Sequence, residues 1–257
     1  MSSSPTTAYG ASFYESEGES SKRSSAVLVP ELIELVGPRS IVDVGCGLGH
    51  FLNRFQEAGV TDVVGVEGDW ARQAPLATPL ARLRFLDLNA PIDLGRRFDL
   101  ALCLEVAEHV EPENADRMVD SLTRLASVIA FSGAVPSQGG SHHVNEQWPE
   151  YWARKFRIRN FDAFDPLRAR FLEDERVSVF YAQNLVLYAE RGSAAHERLR
   201  ATRSLVRGRV PFYIRAQRHP IAARIVNALP SRLRESVYLG YRSRWKRWMP
   251  GAMRTYR

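Results

Sequence analysis

Ile41-Val42-Asp43-Val44-Gly45-Cys46-Gly47-Leu48-Gly49 is the stretch on which the fold turns. A short β-branched run closes on a glycine-rich turn, and a helical pattern follows from His50 to Ala58, where Gly59 stops it. A strand that ends in such a turn presents free backbone N–H groups to a ligand, and side chains at the glycine positions would block the approach. A P-loop would need Gly-Lys-Ser/Thr, which is missing. A dinucleotide fingerprint would place its glycines first, third and sixth; here they are first, third and fifth, with His50 sixth. Asp43, at the end of the strand, would repel a pyrophosphate and attract an ammonium or sulfonium. Taken alone, the turn is equally consistent with tight packing and no ligand.

Working outward, the pattern repeats. Asp62 to Glu67 reads as a second strand, Leu83 to Leu88 as a third and Phe98 to Leu104 as a fourth. The fourth is nearly all apolar, as a strand covered on both faces should be. Helical spacing from Asn114 to Ala126 leads to a fifth strand, Ser127 to Ser132. Two late runs, Val177 to Tyr181 and Asn184 to Ala189, are expected to form an antiparallel edge. Ahead of the first strand, a helix is expected from Ala26 to Val36, with Pro30 near its first turn. Strands alternating with helices predict an α/β, Rossmann-like doubly wound, mostly parallel seven-stranded sheet with helices on both faces.

Three strand ends carry a carboxylate: Asp43, Glu67 and Asp87. Glu67 follows Asp43 by one strand–helix–strand unit, where a carboxylate can accept hydrogen bonds from both hydroxyls of a ribose. Asp87, with Leu88 beside it, can bond an adenine amino group and pack against its ring. Together with Leu104-Glu105-Val106-Ala107-Glu108-His109-Val110, these segments resemble the S-adenosylmethionine-binding motifs of class I methyltransferases, in the small-molecule branch that includes the ubiquinone-type O-methyltransferases. The resemblance runs from about Tyr9 to Ala189. It implies S-adenosylmethionine as cofactor. Asp43, Gly45, Cys46, Gly47 and Gly49 would surround its methionine part, Glu67 its ribose, Gly68 and Asp69 its adenosine and Asp87 and Leu88 its adenine. Glu105 would close the methionine end. His143 to Pro149 is also similar to a stretch found in a bacterial, often actinobacterial, subgroup.

Methyl transfer from a sulfonium is an in-line displacement, and a hydroxyl acceptor must also lose a proton. Two clusters stand where a base is expected: Glu105, Glu108 and His109 after the fourth strand, and His142, His143, Asn145 and Glu146 after the fifth. Glu108 and His109 can equally start and cap a helix, and the loop histidines can equally hold Trp148. Two adjacent histidines with Glu146 three positions on favour His142 or His143 as the base over His109 and Glu108. No HExxH-type spacing occurs, so no metal is expected. Tyr9, Phe13, Tyr14, Trp148, Tyr151, Trp152 and Phe156 are candidates for a lid or an acceptor wall. Trp152 and Phe156, four apart, fit a helix face packed in the core better.

The bulk numbers set the frame. With 257 residues, 45% hydrophobic and 25% charged, the chain can bury a core without staples. Its two cysteines, no apolar leader and no long apolar run point to a cytoplasmic protein. The net charge of +6 is uneven: residues 191–257 hold 17 Lys+Arg against 2 Asp+Glu, a net +15, which leaves −9 for the remainder. Three parts are therefore expected: a flexible N-terminal segment or lid (1–25), the cofactor-binding domain (26–190) and a basic helical C-terminal extension (191–257). The extension either packs on the domain or lies at the inner face of an anionic membrane; it shows no motif for specific nucleic-acid binding. The functional expectation is methylation, through oxygen, of a small-molecule or glycan acceptor in bacterial secondary metabolism or envelope biosynthesis. The rival is an RNA or protein methyltransferase that docks through the tail. The oligomeric state has no signature in the sequence.

Overall fold

The computed structural model describes residues 11–214 and 225–248, with only the backbone described for 11–17 and 241–248. Seven strands form one sheet: β1 (Ser40–Val44), β2 (Asp62–Glu67), β3 (Leu83–Phe85), β4 (Leu100–Leu104), β5 (Val128–Ser132), β6 (Phe161–Phe164) and β7 (Val186–Glu190). Their order is β3-β2-β1-β4-β5-β7-β6. β1 to β5 are mutually parallel, and β7 runs antiparallel to both of its neighbours. The helices are α1 (Ala11–Val36), α2 (His50–Glu57), α3 (Ala115–Leu125), α4 (Pro149–Arg157), α5 (Arg168–Phe171), α6 (Val179–Asn184), α7 (Ala194–Ala201) and α8 (Ser231–Trp248).

Strand alternation sorts the core into two layers. Ile41 of β1 faces the layer of Leu28, Val29 and Leu32 from α1 and Phe51, Leu52 and Phe55 from α2. Val42 and Val44 face the opposite layer, built by Met118, Val119 and Leu122 from α3 and Trp152 and Phe156 from α4. Because β1 pairs with β2 on one side and β4 on the other, the winding reverses at its carboxyl end, and the strands part there into a crevice.

The expected doubly wound sheet is present, with four differences of detail. The helix before β1 begins at Ala11, so the polar stretch Glu15 to Ser25, expected to be flexible, is helical. Pro30 therefore lies well inside it rather than near its first turn, and burial of Leu28, Val29, Leu32 and Val36 offsets the roughly 3 kcal/mol that an internal proline costs. Val177 to Tyr181 is not a strand. Ser178 caps α6 by accepting from the Phe180 N–H at 3.4 Å, while its own N–H is held by Ser24 Oγ at 2.8 Å. The true edge partner of β7 is Phe161–Phe164, a run too short to stand out. Finally, the fold does not stop near residue 190. Leu199 of α7 and Val210 are buried in the two core layers, and Phe212 is buried against Trp148 and Tyr238. The buried Arg168 guanidinium grips Asp165 through two bonds of 3.0 and 2.8 Å and donates to the Pro211 carbonyl at 2.8 Å, tying this segment down. Pro220 and Pro250 lie outside the described residues.

Candidate active site

The crevice at the end of β1 opens into a cleft of about 830 Å³. Glycines shape its floor. Gly45 (φ 74°) has a left-handed backbone, and a Cβ there would strike Val106 at 2.4 Å. A Cβ on Gly47 (φ 55°), which lines the cleft, would meet nothing within 4 Å, so the space over it is open to a ligand. Gly49 does not line the cleft. It precedes α2 at φ 81°, and a Cβ there would meet Thr78 at 2.4 Å, so its part is structural.

Glu67 joins the floor to the wall. Its Oε2 accepts from Gly47 N–H at 2.7 Å and its Oε1 from Gly68 N–H at 2.8 Å, and Trp70 adds a side-chain bond. Each oxygen keeps lone-pair capacity for a further donor. Burial raises the Glu67 pKa, and these donors oppose the rise. Asp43, 3% exposed, is pushed up to about 7 by burial first and by the nearby Glu67 charge second. Two buried carboxylates on one wall make a site that gains most from a cationic ligand. Asp69 pairs with Arg72 at 2.9 Å, and Asp87 turns its own loop by accepting from Asn89 N–H at 2.9 Å. Asp87 and Leu88 lie just beyond the shortened β3 and still line the cleft, as do Gly45, Cys46, Gly68, Asp69 and Glu105.

The other end is less evenly divided than the sequence suggests. Glu105 (φ 54°) takes a left-handed backbone that costs a non-glycine residue on the order of 1–3 kcal/mol. The turn is held by its N–H on the Ser132 carbonyl (3.1 Å) and by its carboxylate, which accepts from Gln138 Nε2 (2.7 Å) and Asn184 Nδ2 (3.2 Å). His109 lines the cleft, and burial and the neighbouring His143 lower its pKa to about 4, so its imidazole is neutral at pH 7. His143 stands edge-on to it, ring centroids 5.0 Å apart, with Nδ1 3.1 Å from Glu146 Oε1. His142, favoured from sequence, is exposed at φ 59° and does not line the cleft. Glu108 is buried behind His109, and its carboxyl pKa is raised well above the usual range by burial and then by Glu105.

Of the aromatic candidates, Trp152 and Phe156 are core residues, and Trp148 packs on Phe212 and Tyr238 at 5.1 and 6.2 Å. Tyr9 and the side chains of Phe13 and Tyr14 lie outside the described residues. The cleft's aromatic wall comes instead from Phe51, Trp70, Phe85 and Tyr181, which the motif reading passed over. Gly18 and Ser21 of α1 also line it, so the N-terminal helix does border the site.

The glycine floor under open space and the two buried carboxylates at the sheet's switch point fit an S-adenosylmethionine-dependent methyltransferase of class I. The methyltransferase-domain family model matches residues 21–183, and the chain belongs to that family. Among solved structures, the sugar N-methyltransferase KedS8 from Streptoalloteichus sp. ATCC 53650 is similar at 18% identity and a TM-score of 0.53, covering 74% of this chain and 99% of that one. DesVI from Streptomyces venezuelae matches at 20% identity and 0.40, over 54% of this chain and 61% of that one. The magnesium protoporphyrin IX methyltransferase of Synechocystis PCC 6803, solved with bound S-adenosylmethionine, matches at 20% identity and 0.46, over 66% and 79%. Among curated proteins nothing matches. S-adenosylmethionine is the cofactor, supplying an electrophilic methyl on a sulfonium. Asp43, the Gly45–Gly47 turn and Glu67 are the residues that fit it.

Proposed function

We propose that the enzyme methylates an oxygen of a small-molecule or glycan acceptor presented at the His109 edge of the cleft. The observation that carries this reading is the neutral His109 imidazole on the cleft wall beside Glu105, where the methyl end of the cofactor would lie. A neutral imidazole nitrogen can receive the hydroxyl proton as the methyl is transferred, which an imidazolium could not. Glu105, pinned by Gln138 and Asn184, gives that edge a fixed shape. His109→Ala is expected to lower kcat on the order of 10²-fold or more, with the affinity for S-adenosylhomocysteine near wild type. Full activity in that variant, with His142→Asn inactive, would return the role to the exposed loop.

The basic tail supports a second, peripheral reading. Leu233, Val237 and Leu239 of α8 are exposed, while its Tyr238 packs on the domain and Glu235 pairs with Arg209. Among the described residues no helix is long and apolar enough to cross a membrane. Leu233 and Val237, one turn apart, put an exposed apolar pair on a basic helix, which suits the surface of an anionic bilayer.

A further inference from the structure

The 3₁₀ turn after β4 and the loop after β5 meet at the edge of the cleft, where Val144 and Asn145 donate to the Glu108 carbonyl at 2.8 and 3.0 Å. Glu108, His109 and His143 each bring one donor atom there, all within 4.8 Å of one another. Glu108 Oε2 is fully enclosed, in a residue only 1% exposed, and has no hydrogen-bond partner. An orphaned buried carboxylate oxygen is costly to keep. Around it stand Glu105 and Glu146, and among the described residues no lysine or arginine pairs with Glu105, Glu108 or Glu146. The cluster is short of positive charge.

Both imidazoles are oriented from behind. Glu146 Oε1 lies 3.1 Å from His143 Nδ1, which leaves Nε2 for another partner, and Glu146 is itself fixed by the Ser137 and Gly139 N–H groups at 2.7 and 2.8 Å. Gly140 gives that ring room, since a Cβ there would sit 2.2 Å from His143 Nε2. The His109 ring is held by the backbone of His142. A carboxylate or carbonyl behind each ligating histidine is how metal sites fix ring orientation and tautomer.

We propose that Glu108, His109 and His143 form a binding site for one divalent cation of borderline softness, such as Zn²⁺, Co²⁺ or Fe²⁺. Two imidazoles and one carboxylate with the remaining positions open is a set those ions accept, while Mg²⁺ prefers oxygen alone. Bonds of about 2.1 Å put neighbouring ligand atoms roughly 3–3.5 Å apart, so modest side-chain rotation closes the set around an ion. The ion would occupy the edge of the cleft through His109, which also lines it. The role in turnover rests on the methyltransferase reading: a cation there lowers the pKa of an acceptor oxygen directly and takes the place of the imidazole lone pair. No spacing motif marks this site, because His143 lies a whole strand beyond Glu108 and His109.

The test is titration of the full chain, first stripped with a chelator, with Co²⁺ alone, followed by its visible d–d absorption, and with Zn²⁺ by calorimetry. One ion per chain is expected, with Glu108→Gln and His143→Ala each weakening binding about a hundredfold or more and His142→Asn leaving the titration unchanged. S-adenosylhomocysteine binding to every variant reports folding and the cofactor site separately. If Glu108→Gln does not fold, paramagnetic shifts of the His109 and His143 ring protons in Co²⁺-loaded wild type decide the matter. No stoichiometric ion, or binding that survives both substitutions, overturns the site. Loss of S-adenosylhomocysteine binding in wild type would overturn the methyltransferase reading instead.

Discussion

Replacing Glu67 by Gln keeps the shape of the side chain and removes its charge. Glu67 is 5% exposed and accepts two charge-assisted bonds, 2.7 Å from Gly47 and 2.8 Å from Gly68. An amide keeps one acceptor and turns its NH₂ toward an N–H that needs one. Hydrogen bonds to charged groups contribute about 1.5–3 kcal/mol each, so the loss on the loop is of that order. An opposing effect of similar kind exists, because the amide relieves the burial penalty on the carboxylate and its repulsion of Asp43. Folding stability should therefore change little. Cofactor affinity has no such offset: an acceptor for the ribose is lost, and 1.4 kcal/mol per tenfold puts the affinity for S-adenosylhomocysteine roughly 10- to 100-fold lower. Calorimetric titration beside a thermal melt reads both quantities. A dissociation constant within threefold of wild type in a normally folded variant would refute the role of Glu67.

Asp43 makes cofactor binding depend on pH. Its folded pKa of about 7 lies above the ordinary carboxylate value, so in the ligand-free protein it contributes stability at low pH that is lost as pH rises toward 7. A cationic ligand favours the ionised form, so affinity should improve as pH rises through about 7, with proton release, and Asp43→Asn should flatten the profile; affinity independent of pH between 6 and 8 in wild type would count against it. Arg168→Ala strands the Asp165 carboxylate and frees the Pro211 carbonyl, and chemical denaturation should show a loss of about 3–5 kcal/mol. For the tail, co-sedimentation with anionic but not neutral vesicles is expected, fading in high salt and abolished by Leu233→Asp with Val237→Asp. Equal sedimentation of both forms, or of neither, would leave α8 as a packing element.

Much of this was legible because parallel strands covered on both faces are written as unbroken apolar runs. β1, β2, β4 and β5 fall within two residues of their expected limits. The antiparallel edge was not legible in the same way. Val177 to Tyr181 has strand composition, but its conformation is set by Ser24 and Ser178, and β6 is a four-residue edge strand paired with β7. The cofactor residues sit next to strand ends in the order that the motifs require, so they could be found by spacing. Trp70, Gln138, Tyr181 and Asn184 sit on turns and helices whose approach to the cleft depends on tertiary packing. Adjacency in the sequence singles out His142 and His143, whereas the cleft lining takes in His109.

The placing of β7 between β5 and β6 has a consequence for how the chain comes together. β6 is synthesised first yet has no edge to join until β7 arrives between it and β5. During synthesis the far side of β5 is thus an open edge with apolar Phe131 and Ile129 along it, a form prone to pairing with a second nascent chain. Closure waits for residues near 190, and Leu205, bridged to Phe164, and Pro211, held by Arg168, add the last ties. The half of the sheet that carries the cofactor motifs can assemble early, while the half formed by β6 and β7 is completed late. A chain stalled before β7 would then display a nearly finished cleft beside an unpaired sheet edge.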